Sequence, residues 1–208
     1  YGSNYYDMVV YVGYSRTSGG GGNSCFTADS LVRMHNNELK RIDEIAIGDV
    51  VCTAFGYSEV TYIQMPLLGK RKLLAMPGGK CKTSAEHPIW SRNRETGQEW
   101  WSTRDYEQWT LEQNEAIEAG RSIEGPVAID ITDASAEYQF ATVDGWVDAA
   151  WEEIPAEQDL QLYHLHLKDG GGYFVDGYLV EDSGHESENY KYGDQRWRDL
   201  TWTKFTEI

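Results

Sequence analysis

The chain has 208 residues, 40% of them hydrophobic, with eight Trp and fourteen Tyr, enough for one folded domain with attachments and too much for a disordered chain. Its formal net charge of −16 argues against a surface that neutralises phosphates, so nucleic acid is not an expected partner. No apolar run reaches the roughly 18–20 residues that cross a bilayer, and no basic-then-apolar leader is visible, so neither a membrane partner nor a signal peptide is expected.

In chain order, residues 1–24 read as a separate piece. Tyr5 to Val12 is a plausible strand ending an upstream domain, and Ser18 to Ser24 is a Gly-rich flexible linker. The start at Tyr1 rather than Met suggests a fragment of a longer product, or a chain whose beginning has been removed. From Cys25 the pattern is mostly β. Leu31–Met34, Asp49–Thr53 and Glu59–Met65 read as strands, and Leu73–Met76 with Lys80–Thr83 make a hairpin about a Pro-Gly-Gly turn. Residues 105–119 are polar, lack Gly and Pro, and predict a short helix. Val127–Ile131, Gln139–Val143 and Gly145–Val147 return to strand. Leu162–Leu167 and Tyr173–Val180 flank Lys168-Asp-Gly-Gly-Gly172 and read as a closing hairpin, with 183–208 a downstream segment.

The three cysteines, Cys25, Cys52 and Cys81, form no CxxC pair and no regular spacing. That argues against a disulfide framework and a zinc site, and for a reducing compartment that keeps Cys25 a free thiol. No cofactor is called for. Cys25 follows the linker directly, so its thiol sits beside its own upstream peptide bond, Ser24–Cys25. A thiol there can attack the preceding carbonyl, converting the amide to a thioester. That shift is uphill for an unstrained peptide and needs an oxyanion donor and a proton for the departing nitrogen. Thr83-Ser84-Ala85-Glu86-His87-Pro88 carries a hydroxyl and an imidazole three residues apart, able to converge from one loop. The bland readings are a small buried cysteine and a loop histidine before proline. His164 and His166 share a strand face, as a metal pair or, more simply, as two half-buried sheet histidines.

Three blocks in order carry a resemblance. Cys25-Phe-Thr-Ala-Asp-Ser-Leu-Val32 with Leu39 to Val51 resembles the opening block of the Hint superfamily, which includes inteins, bacterial intein-like domains and the Hedgehog autoprocessing domain. Ser84-Ala-Glu-His-Pro88 is similar to its Thr-x-x-His block, and Leu162–Val180 to its closing block. The resemblance covers Cys25 to Asp182. It implies a mainly β fold, a Hint-type β horseshoe with a short helical insertion, both ends adjacent, and Cys25 as nucleophile with Ser84 and His87 assisting. About seventy residues between His87 and the closing block leave no room for a typical homing endonuclease. The sequence departs from the family where the chain would be cut downstream. Glu181-Asp182-Ser183 stands where His-Asn and a Cys, Ser or Thr are usual. Asp182 lacks the carboxamide nitrogen that closes a succinimide, while Ser183 keeps a hydroxyl that can accept an acyl group. His164 stands where many relatives carry Asp.

The expected function is self-processing at Ser24–Cys25 by a single-turnover cysteine nucleophile, with C-terminal cleavage and splicing impaired. The partner is the chain's own flanking polypeptide. The alternative is an inactive structural module of a larger assembly, such as a phage tail or virion component, with other subunits as partners. The location expected is cytoplasmic or virion-associated.

Overall fold

The computed structural model describes residues 25–118, 128–182 and 195–205. The linker, the Tyr5–Val12 strand, Ser24 and Ser183 lie outside the described residues.

Two antiparallel hairpins come early in the described residues. Strands β1 (Phe26–Thr27), β2 (Leu31–Arg33) and β3 (Leu39–Arg41) lead to β4 (Val50–Thr53) and β5 (Gly56–Gln64). In the first half of β5 every second residue is buried, with Ser58 and Val60 inside and Tyr57 and Glu59 out, the period of a half-buried strand. β6 (Leu73–Ala75) and β7 (Lys82–Ser84) form the expected hairpin, with Leu74 opposite Thr83. β8 (Ile89–Asn93) and β9 (Glu99–Thr103) follow, then helix α1 (Tyr106–Glu118). The helix begins where Asp105 Oδ1 accepts the Gln108 N–H at 3.1 Å, satisfying a backbone donor that the first turn leaves without a partner. β10 (Ile129–Asp130), β11 (Tyr138–Thr142), β12 (Gly145–Asp148) and β13 (Glu152–Ile154) lead to β14 (Leu162–Leu167), β15 (Tyr173–Val175) and β16 (Tyr178–Val180), and α2 (Gln195–Asp199) comes last.

The strands form two sheets. One runs β13-β6-β7-β1-β14-β5-β4; the other runs β10-β9-β8-β11-β16-β15-β2-β3, with β12 on β11. The segment read as a closing hairpin is corrected here. β14 pairs with β1 and β5, whereas β15 belongs to the other sheet and pairs with β2 and β16. Gly170, Gly171 and Gly172 have φ of 65°, 104° and 61°, and this run of left-handed backbone carries the chain from sheet to sheet. The real hairpin is β15–β16, turned by Asp176 (φ 48°) and Gly177 (φ 89°), the two successive positive φ values that a tight two-residue loop requires.

Alternation divides the core. Ile89, Tyr173, Val175 and Val180 face a cluster with Phe26, Val60, Phe140 and Leu165. Their neighbours Trp90, Phe174 and Leu179 face the opposite side, where they meet Trp101, Trp197 and Trp202. The nine-stranded sheet is therefore covered on both faces, one of them by the downstream residues 195–205. Trp202 is fixed there by its backbone N–H to Glu99 Oε2 and its indole N–H to the Thr142 carbonyl, both at 2.9 Å. Among the described residues no helix is long and apolar enough to cross a membrane.

Candidate active site

The turn between β7 and β8 holds the two ends of the domain. Cys25 is fully buried. Its backbone N–H donates to Ser84 Oγ at 2.9 Å, and its carbonyl accepts the Ser84 N–H at 2.9 Å and the Thr83 hydroxyl at 3.2 Å. Three residues on, His87 Nε2 lies 3.2 Å from the Glu181 carbonyl oxygen. A carbonyl only accepts, so Nε2 carries the hydrogen in this contact. The Glu181 N–H donates to the Pro88 carbonyl at 3.2 Å. Ser84 thus holds Cys25 and His87 meets Glu181, both from one turn.

His87 reaches the Cys25 side through Phe26, whose ring centroid is 4.4 Å from its own. The recorded acceptor of the Cys25 amide hydrogen is Ser84. His164 joins the group: its ring centroid is 5.0 Å from that of His87, and its Nδ1 is 3.0 Å from the Tyr173 hydroxyl. That hydroxyl also takes the Leu165 N–H at 3.3 Å, and burial keeps the phenol protonated. That phenol can give its hydrogen to His164 Nδ1 or accept one from it, according to the histidine tautomer. His166 is only half-buried and pairs with Gln64 Oε1 at 3.4 Å. Asp182 is buried and accepts the Gly172 N–H at 2.9 Å. Burial first, and Asp182 second, push the Glu181 carboxyl well above the usual carboxylate range.

The turn itself is stapled by groups with no sequence signature. Arg104, just past β9, is buried and donates to the carbonyls of His87 at 2.7 Å and of Ser84 and Ala85 at 3.4 Å. Burial lowers its guanidinium to about 10. The Thr103 hydroxyl donates to the Glu86 carbonyl at 3.0 Å. Every carbonyl from Ser84 to His87 is thereby satisfied, which fixes the turn that carries the Ser84 and His87 side chains. The Glu86 side chain is fully buried and accepts from Arg71 Nη1 at 3.0 Å. Removing one partner of such a pair typically costs about 3–5 kcal/mol.

A buried cysteine bonded through its own amide, with Cys25 and Glu181 drawn onto one Ser-x-x-His turn beside two β-sheets, is the arrangement of a Hint-type fold, the fold of inteins. Solved structures agree. The chain is similar to a bacterial intein-like domain from Clostridium thermocellum, with a TM-score of 0.50 and 18% identity, covering 77% of this chain and 100% of that one. It is also similar to the PabCDC21-1 intein, with a TM-score of 0.51 and 14% identity over 78% of this chain and 100% of the other. No family model and no curated protein matches the chain.

Proposed function

We propose that residues 25–182 form a self-processing domain that cleaves the Ser24–Cys25 bond. The observation that carries this reading is the Cys25 N–H to Ser84 Oγ bond at 2.9 Å, three residues from a histidine that holds the other end of the domain. Cys25 gives its thiol proton to solvent base and its sulfur bonds to the Ser24 carbonyl carbon, whose π pair moves onto the oxygen. The carbon–nitrogen bond then breaks and the nitrogen leaves as the free α-amine of Cys25. Ser84 orients that nitrogen. His87 supplies the proton it takes, from Nδ1 of the imidazolium form. Water or an external thiol opens the thioester. The flanking polypeptide is the substrate. His164, whose Nδ1 meets the Tyr173 hydroxyl, is a second acid or base of the site.

The downstream junction is impaired in this reading. The Asp182 carboxylate offers no nitrogen to close a succinimide. Ser183 remains an acyl acceptor, but a branched product lacks the step that resolves it.

Intact mass of the full chain with and without dithiothreitol tests the proposal. Thiol should release 1–24 and 25–208, and Cys25→Ala should abolish the cut. A chain that stays whole for days in thiol would overturn it and leave the fold as a structural module. A ligated product of 1–24 and 183–208 would show splicing instead.

A further inference from the structure

Cys25 shares its burial with a charge cluster that the scheme above does not use. Arg71 lies on the turn between β5 and β6, and its flanking Leu68 and Leu73 pack on Cys25 together with Leu162. The loop thus carries the guanidinium beside the buried Cys25. Four contacts hold it there. Nε donates to the Leu68 carbonyl at 2.9 Å and Nη2 to the Leu67 carbonyl at 2.6 Å. Nη1 donates to Glu86 Oε1 at 3.0 Å and lies 4.0 Å from Glu112 Oε1. Glu112 is braced by Gln108 Nε2 at 3.0 Å. The three charged side chains are 9%, 0% and 7% exposed, so solvent screens them weakly. Glu86 comes from the turn that carries Ser84 and His87. Glu112 comes from α1, so the helical insertion reaches the nucleophile.

We propose that Arg71 is a positioning residue for the Cys25 nucleophile, holding the thiolate against its guanidinium, and that Glu112 on α1 tempers the charge the sulfur feels. The proposal rests on the reading of Cys25 as nucleophile. Opposed effects act on the sulfur. Burial drives the thiol well above its ordinary value, Arg71 pulls it down, and Glu86 and Glu112 push it up. Tyr173, kept a neutral phenol by burial, brings no charge to the site. Arg71 itself stays charged, since Glu86, Cys25 and Glu112 together outweigh the burial that opposes its charge. It therefore acts as a fixed cation and transfers no proton. The thiol proton leaves to solvent base. A cation beside an ionising group moves its titration by about one to three units, so Arg71 offsets part of the rise that burial imposes on the thiol.

The test is iodoacetamide alkylation of the full chain from pH 7 to 10, resolved by peptide mass spectrometry, with Cys81 in the same sample reporting opening of the fold. In Arg71→Met, Cys25 should alkylate about tenfold more slowly at pH 8, its profile displaced to higher pH, with Cys81 unchanged. Arg71→Lys should retain part of the effect. Glu112→Gln should move the profile the other way and quicken the reaction severalfold. A purely structural role predicts the opposite for Arg71→Met, because a loosened core exposes Cys25 and speeds its alkylation. Equal or faster reaction in a folded Arg71→Met, or an unmoved profile in Glu112→Gln, overturns the proposal. Should Arg71→Met open the fold, seen as faster Cys81 reaction, Arg71→Lys and Glu112→Gln decide by moving in opposite directions or not. A wild-type chain that never cuts in thiol, yet shows these opposed shifts, would end the cleavage reading and leave the thiolate inference standing.

Discussion

Gly172 donates its backbone N–H to Asp182 Oδ1 at 2.9 Å, and this bond ties the sheet-crossing glycine run to the end of the domain. No other residue type fits at 172. Its φ is +61°, and a Cβ there would stand 2.6 Å from the Val180 carbonyl oxygen and 3.2 Å from Leu179 and Trp101. Backbone cannot yield as a flexible side chain does. Gly172→Ala should cost more than about 2 kcal/mol, measured by urea denaturation. An unchanged midpoint would show that this crossing tolerates a side chain.

The same bond makes Asp182→Asn a conservative test. An Asn Oδ1 can keep the Gly172 contact, while its Nδ2 supplies the nucleophile that Asp182 lacks. With Glu181→His as the neighbouring proton donor, cleavage after residue 182 should rise well above the wild-type level in intact-mass time courses. No second cut in the double variant would mean that the junction is held in a geometry unfit for cyclisation.

Ser84→Ala removes the acceptor of the buried Cys25 N–H. A buried donor left without a partner costs about 1–3 kcal/mol, and loss of a transition-state hydrogen bond slows such steps about a hundredfold or more. Ser84→Thr keeps the oxygen. It should therefore recover most of the thiol-dependent cut, while Ser84→Ala should not. If both variants cut at the wild-type rate, Ser84 serves the fold alone.

Trp202→Ala probes the downstream segment. The indole is 4% exposed and packs on Phe174 at a centroid distance of 5.6 Å, and its N–H meets the Thr142 carbonyl. Truncating a buried tryptophan costs about 3–5 kcal/mol. A loss near that size in chemical denaturation would make 195–205 part of the stable fold. A loss below about 1 kcal/mol would make it a loose appendage.

The sequence and the structure agree where order along the chain carries the information. Cys25 after a glycine run, Ser84 and His87 three apart, and the alternation around Glu59 are all local patterns. The Leu73–Thr83 hairpin and α1 are legible for the same reason. The closing segment reads as one hairpin because β14 and β15 both have strand patterning and the glycines between them suit a hairpin. What decides the matter is three consecutive positive φ values, which no composition reveals. The Asp176-Gly177 turn signal was present but sat inside what read as one strand. Arg71, Arg104 and Glu112 carry no signal at all, because each acts on residues far along the chain. Trp197 and Trp202 read as scattered aromatics, since the sheet face that buries them is built from residues 90 to 179.

The final prediction concerns pH. Glu181 is pushed well up, chiefly by burial and then by Asp182. Burial likewise raises Asp176 to about 6, against the lowering effect of its bond to the Leu31 N–H. In the unfolded chain both carboxyls titrate near 4. Below that pH both states are protonated and neither group weakens the fold. As pH rises past 4, the unfolded chain releases these protons and the native state retains them, so these two groups contribute less stability with each step upward. The loss from Asp176 levels off above about 6; that from Glu181 continues to higher pH. Glu181→Gln removes the ionisation from both states. Its melting temperature should exceed that of wild type at pH 7, and the difference should shrink toward zero near pH 4. The paired carboxylates Asp29, Asp43 and Asp49, held low by hydrogen bonds and cations, act in the opposite sense, but they are common to both chains and cancel in the comparison. Thermal melts of the two proteins from pH 4 to 8 decide it. A difference that does not grow with pH would mean that Glu181 ionises freely in the native state, through water reaching the C-terminal junction.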